Sequence, residues 1–328
     1  MAEFDVPFTL DQLRIVRAIS EYGSFRKAAD KLFVSQPAVS LQVQSLERSL
    51  EVTLFDRGGR RVILTEAGKL LVDYSSRILN LSEEACRALV DLQDLKRGTL
   101  ALGASQTVGT YMMPRLIAEF RQSYPQISVQ LQVLSTRRIA SGVAEGQFDL
   151  AIVGGTIPPQ LKDQLDVSAY ATDEFVLVRA HPDAVAAQFE RSPLASSNLD
   201  IPTHLRKEEL YELRFITLNP QSTTKKAIDS SLETYDINPA KFQVEMELTS
   251  LEAIKNAVKA GLGVAFLSLT AVAADLELGL LEQLHVEGLE VKRTLRLIYS
   301  PNRYQSQVAQ SFRQHLQEAS ARAEAVHA

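Results

Sequence analysis

Three polar side chains crowd one short stretch of the chain, Gln36, Ser40 and Gln42 in SQPAVSLQVQSLE. Carboxamides and a hydroxyl at this spacing suit hydrogen bonding to base edges in a DNA groove. Gln36 can pair with adenine or bond to guanine, Ser40 and Gln42 can follow one turn on, and Pro37 can touch a thymine methyl. Contacts to phosphate require hydroxyls and cations, which Ser24, Lys27, Ser35, Arg57, Arg60 and Arg61 supply. Other chemistry lacks its residues. The chain holds no GxxxxGK[ST] loop, no GxSxG elbow and no HExxH pair, and Gly261-Leu262-Gly263 lacks the third glycine of a dinucleotide loop. Glu245 and Glu247 share one face of an expected strand, an ordinary arrangement for surface carboxylates. The five histidines are scattered and Cys86 is the single cysteine, so no catalytic residue, metal site or disulfide is expected.

Helices must position the polar cluster. Leu10, Leu13, Ile15, Val16 and Ile19 have helical spacing up to Gly23. Ser24 caps a second helix carrying Phe25, Ala28, Ala29 and Leu32. After a break at Phe33-Val34 a third helix starts at Ser35-Gln36-Pro37, where proline suits the first turn because the N–H it lacks would be unpaired there anyway. Small residues at 28, 29 and 38 allow the two helices to cross closely, and Val39, Val43 and Leu46 face the core. Val52–Phe55 and Val62–Leu64 flank Arg57-Gly58-Gly59-Arg60-Arg61, a hairpin with arginines at its tip. Such a unit is either a helix-turn-helix with a basic wing or a plain three-helix bundle with a solvated polar face.

From Thr65 the pattern stays helical to Arg97, and Gly98 ends it. Ala67, Leu71, Tyr74, Ile78, Leu81, Ala85, Ala88, Leu92 and Leu95 alternate in steps of four and three, the mark of a coiled-coil seam. Roughly 30 residues at 1.5 Å each make a rod of about 45 Å, and a self-paired dimer follows. Beyond Gly98, strands and helices alternate as βαβαβ and then in a second α/β run. The expected fold class is therefore α+β and α/β, with a mostly parallel sheet in the second part and two lobes facing a cleft. In such sheets ligands lie beyond the carboxyl ends of strands. The turns there carry Ser105-Gln106-Thr107, Ser135-Thr136, Gly154-Gly155, Gln221-Ser222-Thr223 and Thr249-Ser250. Each hydroxyl alone is a helix cap. Together they suit a small anion, with Lys225 or Arg138 as possible counter-charges.

The whole chain has 328 residues and a formal net charge of -5. Binding nucleic acid through bulk positive charge is thus excluded, whereas Ser24–Arg61 holds seven basic and four acidic residues. Without a run of about 18 apolar residues or a leader-like N-terminus, a soluble intracellular protein without membrane contacts is expected.

The segment AADKLFVSQPAVSLQVQSLERSLEVTLFDR with LTEAG resembles the winged helix-turn-helix of LysR-type transcriptional regulators, and the long helix followed by two α/β lobes is similar to them throughout. That resemblance implies a DNA-binding domain at 1–65, a dimerisation helix at 66–97 and an effector domain at 98–328 built like periplasmic solute-binding proteins. Its first lobe would take about 98–170 and 268–328, its second about 171–267. Matching positions place Gln36, Pro37 and Ser40 on bases and Ser35 and Arg57 on phosphate, while Leu41 stands where many members have a basic residue. GASQTVGTYMMPRLI, GQFDLAIVGG and SPNRY are most similar to the RuBisCO-operon regulators of cyanobacteria and plastids and their carbon-uptake relatives. The implied partners are promoter DNA, RNA polymerase, further copies of the chain in a homodimer or tetramer, and a metabolite such as a sugar bisphosphate, phosphoglycolate, 2-oxoglutarate or NADPH. No bound cofactor is expected, and the implied location is the bacterial cytoplasm or plastid stroma. The competing class is a solute-binding receptor or enzyme whose first helices only contact other proteins.

Overall fold

The computed structural model describes residues 6–56, 62–91, 98–184 and 201–327, and the chain divides into two compact units, 1–93 and 94–328. In the first unit, α1 (Leu10–Tyr22) opens on a reciprocal cap: Thr9 Oγ1 accepts from Gln12 N at 3.2 Å and Gln12 Oε1 accepts from Thr9 N at 2.9 Å. It ends at Gly23, whose φ of 62° lies in the left-handed region where glycine is least strained. Ser24 caps α2 (Phe25–Leu32) and Ser35 caps α3 (Gln36–Leu50). Val16, Ile19, Ala28, Ala29, Val39, Val43 and Leu46 close one core, sealed by Leu54 and Phe55. Each large aliphatic side chain so buried contributes about 1.5–3 kcal/mol. Ala38, expected where the helices cross, is exposed instead. Val39 and Val43 fill that position, because the helical turn carries residue 38 away from the face they share.

The wing strands β1 (Phe55–Asp56) and β2 (Ile63–Leu64) pair antiparallel. Glu47 clamps α3 to the wing by accepting from Leu54 N at 2.7 Å. Thr65 then caps α4 (Glu66–Asp91), accepting from Gly68 N at 3.0 Å and donating to Thr53 O at 2.6 Å. Gly68 is required here, since a Cβ would lie 2.1 Å from Leu54 O. Of the expected seam, Leu71 packs against the internal core. Tyr74 and Leu81 are 49% and 55% exposed, joined on the outside by Ala85, while Ile78 and Ala88 are half-buried. Leu92 lies outside the described residues.

In the second unit, β3 (Gly98–Ala104) pairs parallel with β4 (Ile127–Val133) and with β5 (Leu150–Val153). Their connections are a π-helical turn (Val108–Met112) running into α5 (Met113–Ser123), and α6 (Thr136–Ala144). Two long strands cross between the lobes: β6 (Asp166–Ala180) and β12 (Val291–Tyr299), antiparallel to each other. The second lobe adds β7 (His204–Leu205), β8 (Arg214–Leu218), α7 (Thr223–Glu233), β9 (Gln243–Leu248), α8 (Leu251–Lys259), β10 (Ala265–Ser268), α9 (Leu269–Glu277) and β11 (Leu281–Val286). The strand order is β4-β3-β5-β12-β6-β11-β7, with β10 also on β6, and β8-β9 form a parallel pair apart. The final helix, α10 (Gln307–His327), buries Phe312 and Leu316 in the first lobe's core beside Leu100, Leu102 and Leu297.

In the second unit two expectations change. The sheet is parallel only in part: β12 runs antiparallel to β5 and β6, as do β10 and β11 to β6. The segment 268–290, assigned to the first lobe, packs in the second. Val272 and Leu281 share a cluster with Val178, Ile216 and Ile254, and Leu284 one with Phe175 and Phe215. The chain returns to the first lobe only along β12.

Candidate nucleic-acid interface and ligand cleft

The start of α3 is built to be approached. Gln36, Pro37 and Gln42 are exposed and Ser40 is half-buried. Residues 36 and 40 lie about 40° apart around the helix axis, with 44 and 37 following on one side at about 80° and 100° from 36, so Gln36, Pro37, Ser40 and Gln44 share one sector of about 100°. Gln42 does not join it. Two positions past Ser40 it is turned about 200° away, on the opposite flank. Leu41, an apolar side chain, is 67% exposed on the outward side. The helix offers its positive dipole end there, with no acidic side chain in the first turn. Ser24 Oγ accepts from Lys27 N at 3.4 Å and Ser35 Oγ from Ala38 N at 3.3 Å, so each oxygen is fixed while its O–H is left to donate to phosphate. Lys27 is exposed beside them. Arg57, Arg60 and Arg61 lie outside the described residues.

The cleft of the second unit collects residues from distant turns. Gly155, after β5, lies against the N-termini of both α6 and α7: a Cβ on it would sit 2.6 Å from Thr136 Oγ1 and 2.8 Å from Thr223 Cβ. Thr136 is fully buried and its hydroxyl has no hydrogen-bond partner among the described residues. A buried hydroxyl of this kind ordinarily has a partner, so one beside two facing helix N-termini marks a place for an acceptor. Ser105 Oγ accepts from Gly154 N at 3.2 Å and ties the ends of β3 and β5. Gln106 is half-buried; Ser135 and Gln221 are exposed. Ser222 caps α7 and Ser250 caps α8, while Thr249 is exposed. The start of α8 nonetheless reaches the first lobe, because the Tyr111 hydroxyl donates to Glu252. Burial first, and then this carboxylate, push the Tyr111 phenol well above its ordinary range.

Neither expected counter-charge is arranged for an anion. Lys225 Nζ pairs with Asp229 at 2.6 Å, and Arg138 is exposed. The cation in the cleft is Arg293, which sequence reasoning missed. Its guanidinium holds Asp173 through Nε at 2.9 Å and Nη2 at 2.7 Å, Thr224 Oγ1 through Nη1 at 3.0 Å and Thr107 Oγ1 through Nη2 at 2.9 Å. Its face lies 4.8 Å from the Phe175 ring centre, and Ser268 Oγ donates to Asp173 at 2.5 Å. A Cβ on Gly154 would come within 2.8 Å of Arg293 Cζ, so glycine alone leaves room. The signal in the sequence was its phase: Val291, Leu295 and Leu297 are buried at alternate positions of β12, with Ile298 buried beyond the register shift after Leu295, and Arg293 falls in step with the alternating set. A charge on the buried face of an alternating strand needs a buried partner.

A helix-turn-helix with an open first turn and a ligand cleft between two α/β lobes define a DNA-binding regulator that responds to a small molecule. Residues 10–69 match the bacterial regulatory helix-turn-helix protein of the lysR family, and 93–321 match the LysR substrate binding domain. The chain belongs to the LysR family of transcriptional regulators. A relative from Porphyra purpurea named probable RuBisCO transcriptional regulator is 53% identical over 314 residues, 95% of this chain and 94% of its own. Among solved structures, full-length CbnR complexed with its target DNA superposes with a TM-score of 0.67 at 19% identity, over 95% of this chain and 99% of that one. The regulatory domain of CcmR from Synechocystis PCC6803 in complex with 2-PG gives 0.54 at 24% identity, over 68% of this chain and 97% of that one.

Proposed function

We propose that this regulator controls RuBisCO or related carbon-fixation genes in response to a small metabolite oxyanion of the 2-phosphoglycolate kind. The carrying observation is the buried hydroxyl of Thr136, without a partner among the described residues, where Gly155 brings the N-termini of α6 and α7 together. Helix N-termini present unpaired N–H groups and a positive dipole end, and a hydroxyl adds a neutral donor. The name of the Porphyra relative supports the target genes, and the ligand of CcmR supports the ligand class.

In this reading α3 lies in the major groove with Gln36, Pro37 and Ser40 at base edges, and Ser24, Lys27, Ser35 and the wing arginines hold phosphates. The outward stripe of Tyr74, Leu81 and Ala85 pairs α4 with the same helix of a second copy, which spaces two recognition helices for two half-sites. Two such dimers make a tetramer. The ligand acts by binding one arrangement of the lobes better than the other; a 100-fold preference supplies about 2.7 kcal/mol. The protein works with RNA polymerase in the cytoplasm or stroma, needs no bound cofactor and performs no catalysis. Among the described residues no helix is long and apolar enough to cross a membrane.

The test is a thermal-shift screen of the full chain against 2-phosphoglycolate, ribulose 1,5-bisphosphate, 2-oxoglutarate and NADPH, followed by promoter binding with and without the hit. A ligand at 100 times its dissociation constant stabilises the fold by about 2.7 kcal/mol. The expected result is a shift with 2-phosphoglycolate and altered binding to a RuBisCO promoter. No shift with any of the four would remove the anion reading.

A further inference from the structure

An arginine in an anion site is usually taken as the counter-charge of the ligand. Here four contacts already occupy it. Asp173 takes Nε and Nη2 of Arg293, and the two are direct partners across the β6–β12 pairing, with side chains 1% and 6% exposed. The remaining bonds go one to each lobe: to Thr107, in the turn after β3, and to Thr224, in the first turn of α7. Both threonines are buried, at 1% and 7% exposure.

A hydroxyl has one hydrogen and two lone pairs. When an arginine N–H, which can only donate, occupies its oxygen, the hydroxyl hydrogen turns away from the arginine and must find an acceptor elsewhere. No acceptor among the described residues takes the hydrogen of Thr107 or Thr224. We propose that Arg293 is a positioning residue that does not itself bind the ligand: neutralised by Asp173, it fixes the hydroxyls of Thr107 and Thr224 as donors, one from each lobe, so that the cleft accepts only groups without hydrogens to donate, such as ionised phosphate or carboxylate. This rests on the oxyanion reading above and adds to it the source of the selectivity. It also explains how one small anion engages both lobes. A ligand that accepts from both hydroxyls joins them through a second bridge beside the Thr107–Arg293–Thr224 chain. A group bearing N–H or O–H meets two donors fixed toward it, and such mismatched polar pairs bind poorly.

The experiment is titration calorimetry of the full chain with 2-phosphoglycolate, comparing valine and serine at each threonine. Valine keeps the shape and loses the hydroxyl, whereas serine loses a methyl and keeps the hydroxyl. If the hydroxyls are the donors, Thr107→Val and Thr224→Val weaken binding at least tenfold, and Thr107→Ser and Thr224→Ser stay within threefold of the unaltered chain. A role in packing gives the reverse order, and valine binding as well as serine overturns the proposal. Arg293→Lys offers no planar fork to span two hydroxyls and a carboxylate, so binding falls at least tenfold with both threonines intact. Should that variant not fold, the valine–serine contrast decides alone. No binding of 2-phosphoglycolate, 2-oxoglutarate or inorganic phosphate by the unaltered chain overturns the oxyanion reading itself, and the role of Arg293 with it.

Discussion

The recognition helix and the cleft solve opposite problems with similar side chains. On α3, Gln36, Pro37 and Ser40 come from five consecutive residues and face outward, free to adapt to a partner much larger than the protein. In the cleft, Thr107, Thr136, Gly155, Thr224 and Arg293 come from five segments spread over nearly 190 positions and are buried, with Arg293 already bonded to Thr107 and Thr224 before any ligand arrives. The first site is local and its energetics lie in the contacts it will make. The second is tertiary, and much of its energetics lies in contacts already made. Mutations at the two should therefore divide: those in the cleft should alter folding and binding together, and those on α3 binding alone.

The largest test of that division is Asp173→Ala, which leaves the Arg293 charge buried without its carboxylate. Breaking a buried ion pair from one side costs about 3–5 kcal/mol, so denaturant unfolding of the second unit should shift by that much while specific DNA binding by folded protein persists. An unchanged unfolding midpoint would mean that the pair is not a fixed part of the fold. Next comes Gln36→Ala, expected to cost about 1–3 kcal/mol on the cognate promoter and far less on random duplex, with no change in thermal stability. Equal losses on both duplexes would assign Gln36 to the backbone. By the same geometry Gln42→Ala should cost much less than Gln36→Ala, because residue 42 faces the other flank; equal effects would mean that α3 enters the groove rotated from the sector described.

The same contrast explains what could be foreseen from the amino acids. Ser24, Ser35, Pro37 and Gly23 announced the helix boundaries because capping chemistry is settled within four residues, and the structure places all of them as expected. Core positions 39, 43 and 46 followed from helical periodicity. Ala38 did not, because small size was mistaken for burial when only phase decides which side faces in. The hydroxyls at strand ends were visible as caps, and the sheet's connectivity brought Thr136, Gly155 and Thr223 together. Arg293 and Asp173 were missed because their meeting depends on the antiparallel return of β12 beside β6, a pairing with no local signature. For the same reason β11 went unforeseen, and with it the true extent of the second lobe.

Lys27→Ala should act more weakly than any base-reading change. A single phosphate contact carries no sequence information, so binding to cognate and random duplex should weaken alike, and the slope of log K against log salt should fall by about one. A sequence-dependent loss would move Lys27 from the backbone to a base edge.

The smallest effect expected lies at the edge of the cleft and depends on pH. Asp275 on α9 receives Lys255 at 3.1 Å and Lys259 at 3.0 Å, both from α8, and Lys255 also pairs with Glu252, the acceptor of Tyr111, at 3.3 Å. Burial works to raise the Asp275 carboxyl, but the two ammonium groups outweigh it and hold it below the usual carboxylate range. A pKa lowered by folding stabilises the folded state fully above the unfolded value, about 3.9, and that contribution fades as pH falls through the lower folded value. Asp275→Asn should therefore lower stability at neutral pH and flatten its dependence on pH below about 4. Because Gln36 and Ser40 belong to the other unit, promoter affinity without ligand should not follow. If it did follow, the separation between a pre-bonded cleft and an adaptable recognition helix would fail at the charges that hold α8 and α9 together.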